Sequence, residues 1–252
     1  MALITDKLTY RTSDGRDVPT YLARPDGAGP FPGILMCYEL WGMADVPEGG
    51  PHMRDVAGRF AQEGYVAIVP DYYQALSEAP RLEGGTVVGG PSDAASDDAL
   101  SAGARWLQAQ PYVRAGAIGA IGWCGGGRHA LFLAARCPEI RAAASFYGRP
   151  VNRARPDRQT VSPIDLVPQM HCPIFGAYGE ADQGIPVETA HQLEAELERH
   201  GKIHEVHIYP GAGHAFMNDQ RSSYLESAAM DSWRKVLEFF AQHLKGAVPA
   251  RA

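Results

Sequence analysis

The 252-residue chain contains no apolar run long enough to cross a membrane and no excess of positive charge. A membrane-spanning helix needs roughly 20 consecutive apolar residues, and no stretch of this sequence comes near that length. Asp and Glu number 29 against 23 Lys and Arg, which gives a net charge of −6. A surface of this sign repels phosphate backbones and anionic lipids, so we expect neither nucleic acid nor membranes as partners.

Cysteine is scarce, and metal-binding motifs are missing. The four cysteines form no C-x-x-C pair, and no H-E-x-x-H motif or Cys/His cluster occurs, so we expect no metal and no other cofactor. The first residues do not read as a secretory signal, and we expect a reducing, cytoplasmic environment. Cys37, Cys137 and Cys172 lie in apolar segments or beside proline, which favours burial in the core.

Apolar runs alternate with helical patterns along most of the chain. The turn-rich residues 13–16 separate two short stretches, and this predicts an N-terminal β-hairpin over 8–12 and 18–23. Further strands are predicted over residues 33–37, 65–69, 117–121, 142–146, 173–177 and 204–209. Because most of these runs lack polar alternation, they suit strands that are covered on both faces. Helical patterns between them imply crossover units, so the sequence predicts a mostly parallel, doubly wound α/β sheet.

The organisation indicates one domain over residues 1–252, because no linker divides the chain into halves with separate patterns. Residues 246–252 are expected to form a frayed tail. Residues 70–92 and 148–169 interrupt the alternation. The sequence does not decide whether residues 148–169 form a lid. Ligands of open α/β sheets bind beyond the carboxyl ends of the strands, so the loops that follow strands are the expected place of a pocket.

The most informative segment is Gly122-Trp-Cys-Gly-Gly126, which lies between an apolar strand and an immediate helix. It fits the pattern G-x-S-x-G with cysteine in place of serine, and in that pattern the nucleophile occupies a sharp, strained turn. Flanking glycines let the strand and the helix pass closely, and the helix start favours the thiolate of Cys124. A dinucleotide-binding G-x-G-x-x-G lacks the proper spacing here. A buried structural cysteine is the other reading of Cys124.

A thiol nucleophile needs an imidazole base, and α/β-hydrolases carry their residues in the order nucleophile, acid, histidine. His214 lies in a glycine-rich loop after the last predicted strand, and Asp182 lies in the loop after the strand before it. Both therefore belong to the sheet edge at which Cys124 lies. Glu180 is a rival for the acid. The other eight histidines fall on helices, on a strand or beside proline, where they are less able to reach the thiol.

Five segments in order resemble the dienelactone hydrolase family, also called carboxymethylenebutenolidases. They are Tyr38-Glu-Leu-Trp-Gly42, Ala61-Gln-Glu-Gly-Tyr-Val-Ala-Ile-Val-Pro-Asp71, Gly122-Trp-Cys-Gly-Gly126, the Asp182 loop and Gly211-Ala-Gly-His-Ala-Phe216. The resemblance covers nearly the whole chain and implies an α/β-hydrolase fold and a setting in aromatic-compound degradation. It implies that Glu39 pairs with the cysteine or accepts its proton, and that the backbone amides of Leu40 and Gly125 form an oxyanion hole.

The family also holds a substrate carboxylate with two arginines. Arg81 matches the first of them, whereas Asn218 stands four residues after His214, where the family has the second. Arg221 is a candidate substitute, and Trp123 is a further candidate for substrate contact. Asparagine cannot supply the charge and the planar fork of arginine, which argues against dienelactone itself as the substrate. The family also has a larger aliphatic residue at the position of Gly125, so a looser elbow is expected.

These observations predict a hydrolase of small esters or lactones that acts through a Cys-His-Asp triad and an acyl-thioester, as a monomer or a homodimer. A broad carboxylesterase or thioesterase is the alternative within enzymes, because pocket shape sets the choice of substrate. A small-molecule-binding or redox-sensing protein on the same scaffold is the alternative from another class.

Overall fold

The computed structural model describes residues 2–76, 81–83, 86–88, 92–152 and 161–246, with backbone only for 81–83 and 86–88. The strands are β1 (Leu3–Arg11), β2 (Asp17–Pro25), β3 (Phe31–Cys37), β4 (Val66–Pro70), β5 (Arg81–Glu83), β6 (Thr86–Val88), β7 (Val113–Trp123), β8 (Ile140–Phe146), β9 (Ile174–Gly179) and β10 (His204–Tyr209). The helices are α1 (Gly50–Gln62), α2 (Tyr72–Leu76), α3 (Asp93–Gln108), α4 (Gly125–Arg136), α5 (Val187–Arg199) and α6 (Glu226–Phe240). A 3₁₀-helix covers Pro163–Gln169, and a π-helical turn covers Ala241–Lys245.

Eight strands form the main sheet, in the order β1-β2-β4-β3-β7-β8-β9-β10. Strand β2 pairs antiparallel with β1 and with β4, and every other neighbouring pair in this sheet is parallel. The mostly parallel α/β-hydrolase sheet and the N-terminal hairpin are therefore confirmed. Strands β5 and β6 form a separate small hairpin within the stretch 70–92, which the sequence pattern left irregular.

The central strands are apolar because helices cover both of their faces. All five residues of β4 are buried, and in β3 only Phe31 is partly exposed. Aromatic residues of α1 and α6 meet beside the sheet, where Phe60 contacts the rings of Trp233 and Phe240. Continuous apolar sequence is typical of strands in such a layered arrangement.

The register of the parallel strands brings their carboxyl ends to one edge of the sheet. The paired residues at this edge are Cys37 with Gly122, Trp123 with Phe146, Phe146 with Ala177, and Gly179 with Tyr209. The loops that follow β3, β7, β8, β9 and β10 therefore emerge side by side. No helix of the described part of the chain is both long and apolar enough to span a membrane.

Candidate active site

Cys124 occupies a strained turn between β7 and α4. Its φ of 54° and ψ of −116° lie in a region that residues with a side chain rarely adopt. The backbone N–H of Cys124 donates a hydrogen bond to the carbonyl of Phe146 at 3.0 Å, which fixes the turn to the end of β8. The residue is partly exposed, whereas Cys37, Cys137 and Cys172 are buried. Cys124 is thus the accessible cysteine of the four.

Two glycines of the motif have no room for a side chain. A Cβ on Gly122 would lie 2.0 Å from the carbonyl oxygen of Gly126, and a Cβ on Gly126 would lie 2.0 Å from that of Cys37. Because these neighbours are backbone atoms, they cannot move aside. A Cβ on Gly125 would meet only the hydroxyl of Tyr73, at 3.9 Å. A glycine at position 125 led us to expect a looser elbow. The elbow is nevertheless tight, because its geometry depends on Gly122 and Gly126 and not on residue 125.

His214 and Asp182 meet at the same edge. Asp182 Oδ2 lies 2.7 Å from His214 Nδ1, and the carboxylate of Asp182 is almost completely buried. The backbone N–H groups of Gly184 and Ile185 donate to the other oxygen, Oδ1, at 2.7 and 2.8 Å. This carboxylate is therefore held in place by three hydrogen bonds, one of which orients the imidazole.

Glu180, the rival acid, is exposed and does not reach the histidine. Its carboxylate accepts a hydrogen bond from the backbone N–H of Gly211 at 3.2 Å, which ties the loop after β9 to the loop after β10. The geometry therefore favours Asp182 as the partner of His214.

The ionisation of His214 reflects opposing effects. Burial by itself lowers the pKa of the ring, but the hydrogen bond with Asp182, followed by the influence of Cys124, outweighs burial and raises the pKa to about 10. By contrast, burial lowers the pKa of His129, on α4, to about 4. His214 is therefore the imidazole whose pKa responds to Cys124, and it lies against Asp182 at the edge that carries the elbow.

The amides of Leu40 and Gly125 lie at the ends of β3 and β7, on either side of the pairing of Cys37 with Gly122. Gly125 is the first residue of α4, where helix geometry leaves the N–H without an intrahelical acceptor. Among the described residues neither N–H donates a hydrogen bond. Both residues are partly exposed, and two such donors can stabilise negative charge on an oxygen beside the thiol.

Comparisons with known proteins show the family to which this chain belongs. The model of the dienelactone hydrolase family matches residues 18–244. The chain belongs to the dienelactone hydrolase family. Membership makes it a carboxylic ester hydrolase. A "Putative carboxymethylenebutenolidase" of Synechocystis sp. is 34% identical over 89% of this chain and 92% of its own length.

Two further relatives bear on its chemistry and fold. A protein of Bradyrhizobium sp. named "Probable 2-oxo-3-(5-oxofuran-2-ylidene)propanoate lactonase" is 33% identical over 93% of each chain. A crystal structure described as "Putative Dienelactone Hydrolase" from Klebsiella pneumoniae has a TM-score of 0.82 at 30% identity, covering 96% of this chain and all of its own.

In this member of the dienelactone hydrolase family, Glu39 is buried and its hydrogen bonds go to Tyr147 and Arg221. Glu39 Oε1 accepts a hydrogen bond from the hydroxyl of Tyr147 at 2.9 Å, and Oε2 lies 3.5 Å from a guanidinium nitrogen of Arg221. Within the described part of the chain, no hydrogen bond joins Glu39 to Cys124. The pair with Arg221 is not the surface ion pair that loop glutamates commonly form, since the Glu39 side chain is only 4% exposed.

Not every predicted substrate contact of this family member faces the site. Asn218 is fully buried; its amide donates to the carbonyl of Glu48 and accepts from the N–H of Gln220. Trp123 is also buried, with its indole N–H directed at the sulfur of Met217. The structure gives both side chains supporting contacts in the interior. The side chain of Arg81 lies outside the described residues.

Two tyrosines beside the catalytic loops were not found from the sequence. Tyr147 directly follows β8 and contacts Glu39, and Tyr73 follows β4 and approaches Gly125. Their position after strand ends is the signal that could have identified them, since four other strand ends supplied candidate residues. Among the described residues there is no cluster of three or more His, Cys, Asp or Glu that could hold a metal.

Proposed function

We propose that the chain hydrolyses an ester or lactone with Cys124 as the nucleophile, His214 as the base and Asp182 as the residue that orients the base. The single observation that carries this proposal is the 2.7 Å contact between His214 and the buried Asp182, next to a cysteine in a strained elbow. A carboxylate that fixes an imidazole beside a nucleophile is the arrangement of acyl-transfer triads.

The reaction follows from the protons that these groups can move. The sulfur of Cys124 attacks the carbonyl carbon while its proton passes to Glu39, and the carbonyl oxygen becomes an oxyanion facing the amides of Leu40 and Gly125. The C–O bond then breaks, the protonated ring of His214 gives its proton to the leaving oxygen, and a thioester remains. Water, deprotonated by the now neutral His214, attacks the thioester and releases the acid, and the sulfur regains its proton from Glu39.

Glu39 and Arg221 point to a substrate that carries a carboxylate. Arg221 is one-third exposed and pairs with Glu39, which is buried. A substrate anion that binds Arg221 weakens its hold on Glu39, and Glu39 is then free to take the proton of Cys124. We therefore propose anionic lactones as the substrate class. The similarity to the Bradyrhizobium protein, whose name is that of a lactonase acting on a propanoate, supports this choice.

The experiment compares the wild type with Cys124→Ala on p-nitrophenyl acetate and on a small lactone that carries a carboxylate. We expect the wild type to hydrolyse both and Cys124→Ala to lose at least about 10³-fold in kcat, since the nucleophile is gone. Cys172→Ala, which removes a buried cysteine elsewhere, is the matched control and should keep its activity. Intact-protein mass spectrometry after rapid quenching should detect one acyl group on Cys124. Equal activity of wild type and Cys124→Ala would refute the proposal.

A further inference from the structure

Tyr147 contacts the proposed catalytic residues on two sides, although the reaction described above gives it no role. Its hydroxyl donates to Glu39 Oε1 at 2.9 Å, and its ring lies edge-on to the ring of His214 with 5.2 Å between centroids. The side chain is completely buried. A residue between the buried carboxylate and the imidazole can control how both approach the thiol.

The phenol of Tyr147 stays protonated and acts as a permanent donor. Burial, followed by the charge of Glu39 and the hydrogen bond to it, raises the pKa of Tyr147 well above its usual range. Since the hydroxyl keeps its proton, the carboxylate of Glu39 is the acceptor in this pair. A hydrogen bond to a charged acceptor is stronger than one between neutral groups.

The backbone holds Tyr147 in one conformation. Its φ of 39° is in the left-handed region, which a bulky residue enters only when its surroundings impose it. The backbone N–H donates to the carbonyl of Ala177 at 2.7 Å, and the ring also meets Phe216 with 5.4 Å between centroids. The hydroxyl therefore has little freedom to follow Glu39 if the carboxylate moves.

The two contacts of Glu39 differ in how a substrate can reach them. Arg221 is partly exposed, so a dissolved anion can displace its pairing with Glu39, whereas the bond from Tyr147 is buried beyond reach. Loss of the Arg221 contact alone leaves the carboxylate attached at one oxygen. The buried bond thus sets how readily Glu39 leaves its resting position.

We propose that Tyr147 is a positioning residue whose hydroxyl holds the carboxylate of Glu39 beside Arg221, and away from the thiol of Cys124, in the resting protein. This inference rests on the proposed function, in which Glu39 takes the proton of Cys124. Its consequence in the resting protein is a guarded thiol, with slow reaction toward electrophiles.

The test measures alkylation of Cys124 by iodoacetamide without substrate, followed by peptide mass spectrometry. In this reaction the sulfur displaces iodide from carbon while the thiol proton passes to a base. Tyr147→Phe keeps the ring and removes the hydroxyl, which frees Glu39. We expect Cys124 to be alkylated about tenfold faster than in the wild type, the factor that loss of a hydrogen bond to a charged group produces. A purely structural role of Tyr147 would not accelerate the reaction in a folded protein.

Two comparisons make the result specific. In Glu39→Gln the added Tyr147→Phe change should leave the rate within twofold, because the carboxylate that the hydroxyl restrains is absent. Tyr65→Phe is the matched control: its buried hydroxyl has no hydrogen-bond partner among the described residues and lies against Phe60 and Phe240. It should react like the wild type. Thermal unfolding verifies that each variant is folded.

An unchanged or slower rate in Tyr147→Phe would overturn the inference, and so would an equal acceleration in the Glu39→Gln background. Because the assay contains no ester or lactone, it reports on the resting contact alone. Failure of the proposed hydrolysis would instead appear in the substrate assay with Cys124→Ala.

Discussion

Asp182 uses its two oxygens for different purposes. Oδ1 accepts two backbone N–H groups of its own loop, and Oδ2 faces the imidazole of His214. The first pair of bonds fixes the carboxylate and so determines which oxygen the histidine meets. An amide in this position would have to present its NH₂ group to the ring, because its oxygen would be occupied by the backbone donors.

Asp182→Asn should therefore invert the ring's hydrogen bonding. An NH₂ group facing Nδ1 forces a single ring proton onto Nε2, so the ring lacks the extra proton that it gives to the leaving oxygen, and Nε2 cannot accept a proton from water. We expect kcat to fall by about 10⁴-fold, measured as the single-turnover release of p-nitrophenol. Glu180→Gln, which alters an exposed carboxylate of the same loop, should stay within about twofold. Similar losses in the two variants would contradict the assignment of Asp182.

The raised pKa of His214 predicts a pH-dependent contribution to stability. The pKa is about 10 in the folded protein and near 6.5 in an unfolded chain. The protonated ring therefore stabilises the folded state fully below pH 6.5, and this stabilisation is lost as the pH rises toward 10. The difference in Tm between the wild type and His214→Gln should shrink between pH 6 and pH 10, as measured by calorimetry.

His191→Gln provides the comparison for that experiment, because His191 lies on the exposed face of α5 and its side chain is 59% exposed. The difference in Tm between His191→Gln and the wild type should be small at every pH from 6 to 10. If the difference in Tm between the wild type and His214→Gln is constant or grows with pH, the ring does not carry a proton at neutral pH.

At the scale of elements, the elbow is a strand and a helix whose backbones nearly touch. The carbonyl of Gly126 lies where a side chain of Gly122 would be, and the carbonyl of Cys37 lies where one of Gly126 would be. Such approaches admit glycine alone. The position of Cys124 thus depends on three backbone segments that pack without intervening side chains.

Gly122→Ala should destabilise the protein by about 3 kcal/mol or more, because the added methyl group meets fixed backbone atoms. Gly125→Ala is the comparison within the same elbow. Its methyl group would contact only the hydroxyl of Tyr73 at 3.9 Å, and alanine suits the first turn of a helix, so stability should change by less than about 1 kcal/mol. Urea unfolding gives both free energies. Equal effects would mean that the elbow is shaped by something other than the Gly122 contact.

The strands could be predicted because apolar runs of this length are covered on both faces. The prediction of a strand over 204–209 agrees with β10, and that over 142–146 falls inside β8. β1 is longer than predicted because it lies at the sheet edge, where its exposed, polar residues hide the strand pattern. Helix α2 and the β5–β6 hairpin were not predicted, since five-residue and three-residue elements carry too little periodicity.

For the whole molecule, the pairing of His214 with Asp182 at the edge that carries Cys124 could be predicted because each of these residues follows a strand in the expected order. The surroundings of Glu39 could not. Its partners Tyr147 and Arg221 are 108 and 182 positions away in sequence, and no local pattern pairs them. The burial of Asn218 was missed for the same reason, since its partner Glu48 lies 170 positions away. Long-range pairing of polar groups depends on the folded backbone, which a single sequence does not reveal.

The catalytic edge should survive loss of the outermost strand. Strand β1 pairs only with β2, and within it Tyr10 alone is buried, where its hydroxyl donates to the carbonyl of Ala99. Deleting residues 2–11 removes that ring from the core, which costs about 3 kcal/mol, or roughly 10 °C in Tm. We expect kcat/KM for p-nitrophenyl acetate at 25 °C to stay within about twofold, since the catalytic loops follow inner strands and β10. Loss of activity in a folded, truncated protein would contradict this independence.

Three residues with a side chain have left-handed backbones among the described part of the chain: Cys124, Tyr147 and Ala215. All three lie at the sheet edge that carries Cys124 and His214, and Ala215 is next to His214 in sequence. Glycine would adopt these angles without strain. Replacing any of the three by glycine would therefore relax the backbone, but it would also increase the mobility of the thiol, the phenol or the loop that carries the imidazole. Substitutions that raise Tm by removing this strain would therefore lower kcat. Stabilising substitutions are better placed away from this edge.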